Sequence, residues 1–550
     1  MTLDGMVRFP AEDARRYRAA GYWDDRLLID HYEDAFQAYA DRVAITDGDV
    51  TLTYAELKER ALRVARNLYD LGIRPLDRIV VQLRNTAAFP PFYLGLQYLG
   101  AVPIMALPVH RYRELEQFVR LSGAIGLAAP ARSKDADHRE IYARIAAEHP
   151  SLRLLFLEQE ESGSDVSAVS IPELIEREPV ATEADVRALH TGLDPEDPAV
   201  FQLSGGTTGI PKLIPRSHND YAFNSHLAAS VCDIRDGDVL LDVLPISHNL
   251  PLACPGMQGF LFRGATVSLV ASTWSDGILD RVESDRATHI HVVPALLIKL
   301  TEALAARPRD VSSMRVIQSG GQRLQPETRT RAAALFPKAT VQENFGMAEG
   351  LLMFVRLDDP DDVRLETVGR TICPDDEVRL VDENGDDVAE GEVGEFWARG
   401  PYTLRGYFRA PEHNATAFSP DGFYMSGDLM YRHPSGNYVV AGRRKDLINR
   451  GGEKISAEEI ENLILAHPAV VLAAAVPMPD PVLGERTCAC VVLREGATLE
   501  LDELVDFLRG FDLATFKLPE ALRVYDELPL SPIGKVSKKD LVAALASERV

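Results

Sequence analysis

Positive charge is in short supply in this chain: 59 Lys and Arg stand against 83 Asp and Glu, a formal net charge of -24. Such a field repels a nucleic-acid backbone or an anionic bilayer on average, so neither is expected as a partner. Cysteine is scarce too. Cys232, Cys254, Cys373, Cys488 and Cys490 are odd in number and lack CxxC spacing, which argues against a disulfide framework and a structural zinc site and fits a reduced, cytoplasmic setting. No apolar run approaches the ~20 residues of a membrane span. The opening MTLDGMVRFP has no basic end followed by an apolar stretch, so a soluble chain without a secretory leader is expected. Repeats and low-complexity tracts are missing, and the acidic runs LEQEESGSD and LDDPDD read as solvated loops.

What is present is ordinary globular material, 46% hydrophobic and 26% charged, over 550 residues. That exceeds one hydrophobic core and implies units of roughly 100–200 residues each. TYAELKERALRVARNLYDLGI places Thr53 and Glu56 as a capping box, then Leu57, Ala61, Val64 and Leu68 on one helical face, with a stop at Gly72. RIVVQL and AVPIMAL read as strands around the apolar segment Phe89 to Leu99, and TVSLVAS, THIHVVP and MRVIQSGG repeat the alternation. A mostly parallel α/β architecture in two halves is expected. From about Val363, EVRLVDENGDD and GEVGEFWARGPY predict a small β unit closing the large domain. After VVAGRRKDLINRGGEKIS a second capping box, Ser456 with Glu459, opens a small α+β unit containing the strands AVVLAAAV and CACVVLR and a helix near Leu501 to Leu508.

LSGGTTGIPKLI, Leu203 to Ile214, is the chemically richest stretch. It fails the Walker pattern, since Pro211 precedes Lys212 and no GK[ST] follows the glycines. Ser204, Thr207 and Thr208 still offer hydroxyls, and Gly205, Gly206 and Gly209 let backbone amides approach an anion, chemistry that suits a polyphosphate as well as it suits a flexible loop.

The loop is followed in order by LPISHNLPLACPG, SGGQRL, NFGMAEG, SGDL, GRRKDLINRGGEKIS and PLSPIGKVSKKDL. Together these motifs resemble the adenylate-forming superfamily of acyl-CoA synthetases, luciferases and peptide-synthetase adenylation domains, from about Arg26 to Leu545. The resemblance implies a large ATP- and acid-binding domain over 1–444 and a small mobile domain over 445–550, with Lys445 and Asp446 as hinge. It implies ATP as cosubstrate, held by the loop with Lys212, by Gly320, Gly321 and Gln322 along adenine, and by Asp428 and Arg443 at ribose. Lys535 is implied between carboxylate and α-phosphate, where attack of one anion on another needs a cation and alignment. Glu349 is the implied Mg2+ ligand, in keeping with magnesium's preference for one or two carboxylates plus substrate phosphates. Gly451, Gly452 and Lys454 are implied for the thioester step.

Within the superfamily the chain most resembles stand-alone ligases for 2,3-dihydroxybenzoate and salicylate. Where amino-acid domains carry an aspartate for the substrate ammonium, this chain has His248 and neutral Asn249, which disfavours an α-amino acid. The implied acid pocket holds His248, Asn249, Leu250, Cys254, Gly321, Asn344, Gly346 and Met347. Leu250 stands where that branch has an aromatic residue, and Asn344 where it has an aliphatic one, so a larger or differently substituted ring fits better than salicylate. The expected acceptor is the phosphopantetheine thiol of an aryl carrier protein supplied in trans. An aryl-CoA ligase and a non-catalytic aryl-acid or adenylate binder are the alternatives.

Overall fold

The computed structural model describes residues 3–133, 136–159, 168–204, 211–272, 274–321, 324, 326–451, 453–480, 482–511, 513–531 and 535–547. Two sheets dominate the first four hundred residues. The larger has nine strands. From edge to edge they are Arg370–Thr371, Gly350–Phe354, Thr340–Met347, Val316–Gly320, His289–Val292, Val239–Asp242, Thr266–Leu269, Val43–Asp47 and Val50–Thr53. From Thr340–Met347 to Val43–Asp47 every pairing is parallel, and only the outer pairings are antiparallel. The second sheet has seven strands, with the antiparallel hairpin Pro198–Leu203 and Leu213–Ser217 at one edge. The mostly parallel α/β expectation therefore holds for both halves.

The sheets share a core because the helices between them are apolar on the faces they bury. In Tyr54–Asp70 the Thr53 hydroxyl accepts from the Glu56 N–H while the Glu56 carboxylate accepts from the Thr53 N–H, and Leu57, Ala61, Val64 and Leu68 are buried, as the spacing predicts. Phe89–Leu99 is buried all round, so it shows no amphipathic stripe and reads in sequence only as an apolar segment. It ends at Gly100, whose φ of 63° places it in the left-handed region. Ile79 and Val81 of one sheet and Val267 and Leu269 of the other belong to a single apolar cluster with these helices.

Beyond the larger sheet, Glu377–Val381, Gly394–Arg399, Tyr424–Arg432 and Tyr438–Arg443 form a four-stranded antiparallel sheet, the expected small β unit. At its entrance Asp376 accepts from the Tyr402 hydroxyl at 2.6 Å and from the Cys373 N–H at 3.1 Å, and burial pushes its carboxyl up to about 7. A carboxyl whose folded pKa is raised binds protons more tightly folded than unfolded, so its contribution to stability falls from about pH 4 to about pH 7 and is flat above. The melting temperature of Asp376→Asn minus that of the wild type is expected to climb across that window by on the order of a few degrees. A difference independent of pH in thermal melts would refute the assignment.

A turn at Arg444–Asp446 leads into a third α+β assembly. Its sheet orders Glu453–Ser456, Leu447–Arg450, Gly484–Leu493 and Val470–Asp480, with Ala521–Val524 also paired to Gly484–Leu493. The helix Ala457–Leu465 starts at Ser456, whose hydroxyl accepts from the Glu459 N–H. The second half of that expected capping box does not form. Lys517 takes both Glu459 carboxylate oxygens at 2.8 and 2.7 Å, a charge-assisted partner stronger than a backbone N–H.

Candidate active site

The hydroxyl- and glycine-rich stretch is the connection of the edge hairpin. Leu203 pairs with Leu213, the Ser204 N–H donates to the Lys212 carbonyl at 3.0 Å, and the Lys212 N–H donates to Ser204 Oγ at 2.9 Å. These bonds pinch the two ends of the loop together. Gly205, Gly206, Thr207, Thr208 and Gly209 lie outside the described residues, as do Gln322, Gly452 and the Lys454 side chain. The Lys212 ammonium sits 6.0 Å from the centre of the Tyr407 ring. The Tyr407 hydroxyl donates to Glu349 Oε1 at 2.8 Å and lies 3.0 Å from the Tyr424 hydroxyl. Glu349 is only 8% exposed, and burial pushes its carboxyl above the usual range, with the Tyr407 bond opposing. Gly350 follows with a φ of +137°, where a Cβ would meet the Thr403 Cα at 2.3 Å. Only glycine lets the chain turn there while the Leu404 N–H holds the Glu349 carbonyl at 2.8 Å.

Gly320 ends the strand Val316–Gly320 at the carboxyl edge of the parallel sheet, the edge at which open α/β sheets bind ligands. Gly321 has a φ of +86°, and a Cβ on it would lie 2.6 Å from Lys535 Cε. Lys535, from the third assembly, thus lies along this strip. Burial pushes its ammonium down to about 8, with Arg443 adding to the effect and Asp428 opposing it. Asp428 and Arg443 face each other across adjacent antiparallel strands and form an ion pair at 2.7 Å, with Asp428 almost fully buried. The two residues implied at ribose are therefore each other's partners.

His248 is the residue before the short helix Asn249–Ala253, and burial together with the Lys535 charge pushes its imidazole down to about 4. It is neutral near pH 7. Asn249 is buried and accepts from the Tyr221 hydroxyl at 2.9 Å; Tyr221 in turn accepts from the Gln202 amide at 3.0 Å. Asn224 donates to Cys254 Sγ at 3.3 Å, while Leu250 packs at the border of the main core. Beneath them Arg216 is 1% exposed, bonded to Asp220 at 2.8 Å and to the carbonyls of Ala348 and Tyr402. Asn344 pairs with Gly320, and a Cβ on Gly320 would fall 2.3 Å from Asn344 Oδ1. Gly346 has Leu352 over it, and Met347 packs against two small apolar clusters.

The fold thus brings His248, Gly321, Asp428 and Arg443 into electrostatic or van der Waals range of Lys535. Gly451 lies instead at the exposed turn after Leu447–Arg450, its N–H on the Leu483 carbonyl. Tyr221, Asn224 and Tyr407 bond the candidates Asn249, Cys254 and Glu349, and Arg216 bonds the carbonyl of Ala348 beside Glu349; sequence reasoning missed all four. Tyr221, Asn224 and Arg216 stand in or beside the helix His218–Val231, whose Ser217 and Asp220 carry the serine-to-carboxylate capping spacing, a readable signal for the helix but not for its contacts with Asn249 and Cys254.

A family model described as AMP-binding enzyme matches residues 32–408, and one described as AMP-binding enzyme C-terminal domain matches residues 459–535. A salicylyl-CoA synthase / salicylate adenylyltransferase of Streptomyces sp. is 45% identical over 542 residues, 98% of each chain. A salicyl-AMP ligase / salicyl-S-ArCP synthetase of Mycobacterium tuberculosis is 42% identical over 549 residues, 99% of this chain and 95% of the relative. The apo structure of Mycobacterium smegmatis MbtA superposes with a TM-score of 0.74 at 40% identity, covering 98% of both chains.

Proposed function

Because the chain belongs to the AMP-binding enzyme family, whose N- and C-terminal models both match it, we propose that it is an ATP-dependent aryl-acid–AMP ligase. In the first half-reaction a carboxylate oxygen of the aromatic acid attacks the α-phosphorus of ATP. The new C–O–P linkage forms as the bond to the β-phosphate oxygen breaks, and pyrophosphate leaves with that electron pair. In the second, a phosphopantetheine thiol sulfur attacks the acyl carbon and AMP departs, the thiol proton passing to solvent.

One observation carries the aromatic, uncharged-amine reading: the acid pocket is electrically neutral at its polar end. Asn249 is held by Tyr221, Cys254 by Asn224, and the nearby Asp220 carboxylate is committed to Arg216. Among the described residues an α-ammonium buried there would find no free counter-charge, a penalty of several kcal/mol. Lys535 over Gly321, beside neutral His248, supplies the cation that two approaching anions need. Lys212, Asp428 and Arg443 serve the nucleotide, and opening of the Asp428–Arg443 pair frees the carboxylate for the ribose hydroxyls. Rotation about Lys445 and Asp446 exchanges Lys535 for the Gly451, Gly452 and Lys454 face between the two steps. The Lys538 ammonium, 3.9 Å from Asp446 and 2.8 Å from Glu461, ties that turn to the small domain.

Glu349 fits a magnesium site. It is a single buried carboxylate, and among the described residues no group of three or more His, Cys, Asp or Glu forms a self-sufficient metal cage. Magnesium shared with substrate phosphates needs no more than that. The ion, when bound, neutralises charge on the phosphates, while Tyr407 orients the Glu349 carboxylate by hydrogen bonding.

ATP/pyrophosphate exchange across salicylate, 2,3-dihydroxybenzoate, anthranilate, 3-hydroxyanthranilate, hydroxypicolinate, a naphthoate, and several amino and fatty acids tests the reading. One aryl acid is expected to exceed every amino and fatty acid by at least about 100-fold in kcat/KM. Preference for an α-amino or fatty acid would overturn it. One relative is named both a CoA synthase and an adenylyltransferase, so the thiol step is tested with holo carrier protein and coenzyme A side by side, with faster acylation of the carrier expected.

A further inference from the structure

Strand pairing puts three side-chain amides on one face of the larger sheet. Gln318 is opposite Gln342, and one pleat further Gly320 is opposite Asn344, so Gln318, Gln342 and Asn344 share that face. The face looks toward the helix His218–Val231, since the Gln318 amide donates to the sulfur of Cys232 at 2.9 Å, directly after that helix. The same helix supplies Tyr221 and Asn224 to the acid pocket.

The two glutamines are paired as donors. Gln318 also gives its amide to Gln342 at 3.0 Å, and Gln342 donates to the Val355 carbonyl at 2.9 Å. Asn344 differs: its Nδ2 is buried and, among the described residues, has no hydrogen-bond partner. A buried amide donor is normally satisfied, so an orphan one asks for an explanation. The Asn344 amide lies over Gly320, whose missing side chain makes room for it, next to the glycine that Lys535 covers. The terminal torsion of asparagine is broad, so the amide can swing its N–H toward a ring laid on this strip.

Resting on the aryl-acid reading, we propose that Asn344 is a specificity-determining residue whose side-chain N–H hydrogen-bonds an acceptor on the substrate ring. The preferred acid therefore carries a ring nitrogen, or a hydroxyl or ether oxygen, on the edge facing Gly320.

The test is ATP/pyrophosphate exchange on matched acids with wild type, Asn344→Val and Asn344→Leu. The pairs are quinoline-2-carboxylate against 2-naphthoate and 3-hydroxypyridine-2-carboxylate against salicylate for ring nitrogen, and methoxysalicylates against methylsalicylates for oxygen. In the wild type the acceptor-bearing member of at least one pair is expected to lead by about 10–100-fold in kcat/KM, the kinetic worth of one satisfied buried donor. Which pair responds tells nitrogen from oxygen. In both variants that lead falls to within about twofold, the all-carbon partner gains in absolute terms, and the KM for ATP is unchanged. Thermal midpoints confirm that at least one variant is folded. A lead of equal size in wild type and folded variants, no lead in any wild-type pair, or selection of a ring bearing only a donor overturns the proposal. Absence of exchange with every aryl acid in the wild type would instead defeat the aryl-acid reading itself.

Discussion

Lys535→Ala is expected to slow adenylate formation by about 100- to 1,000-fold while leaving transfer from a supplied acyl-adenylate nearly untouched. The asymmetry follows from what the ammonium faces. It lies along Gly321 beside the neutral His248 imidazole, near the Asp428–Arg443 pair and distant in the chain from the Gly451 turn. In the first step two anions, the carboxylate and the α-phosphate, must be brought together, whereas in the second a thiol meets the acyl carbon after the proposed rotation has withdrawn Lys535, so a cation placed there lowers chiefly the first barrier. Burial and Arg443 push the ammonium down to about 8. Its protonated form is the active one, so kcat/KM for adenylation should decline as pH rises through about 8, and the wild-type limb should vanish in Lys535→Ala. Single-turnover measurement of each half-reaction checks this. Equal losses in both steps would mean that Lys535 shapes the site without acting in the chemistry.

The second large effect concerns Glu349. Glu349→Gln is expected to lower kcat/KM by about 100-fold or more, the equivalent of ~3 kcal/mol, and to raise the magnesium concentration needed for half-maximal exchange. Stability should move the other way. The glutamine carbonyl can still accept from Tyr407, whereas the wild-type carboxylate is buried with its pKa raised. A raised folded pKa makes ionisation destabilising, so the variant should melt higher at neutral pH and lose that advantage as pH falls toward the ordinary carboxylate value of about 4.3. A lower melting temperature alongside an unchanged magnesium dependence would show that the carboxylate is structural.

Both effects depend on long-range placement. Glu349 and Tyr407 are far apart in the chain, and the turn at Gly350 holds them together because Thr403 and Leu404 press against it. The motif NFGMAEG points to the carboxylate but not to the tyrosine that orients it. The same holds on the acid side, where Asn249 is legible beside His248 but its partner Tyr221 is supplied by another helix.

By itself, the amino-acid sequence determined the elements and their kinds: the cap at Thr53, the helix stripe through Leu68, the short β-branched runs that became parallel strands, and the set of reactive groups from Ser204 to Lys535. These are local properties, set by side-chain periodicity, backbone preference and residue chemistry within a few positions. Tertiary structure alone decided who pairs with whom. It closed Asp428 onto Arg443, spent the Asp220 charge on Arg216, gave the Glu459 carboxylate to Lys517 in place of its own cap, and left the Asn344 N–H without a partner among the described residues. Hydrogen bonds and ion pairs act over about 3 Å, and only the packing of distant strands and helices brings their partners within that reach.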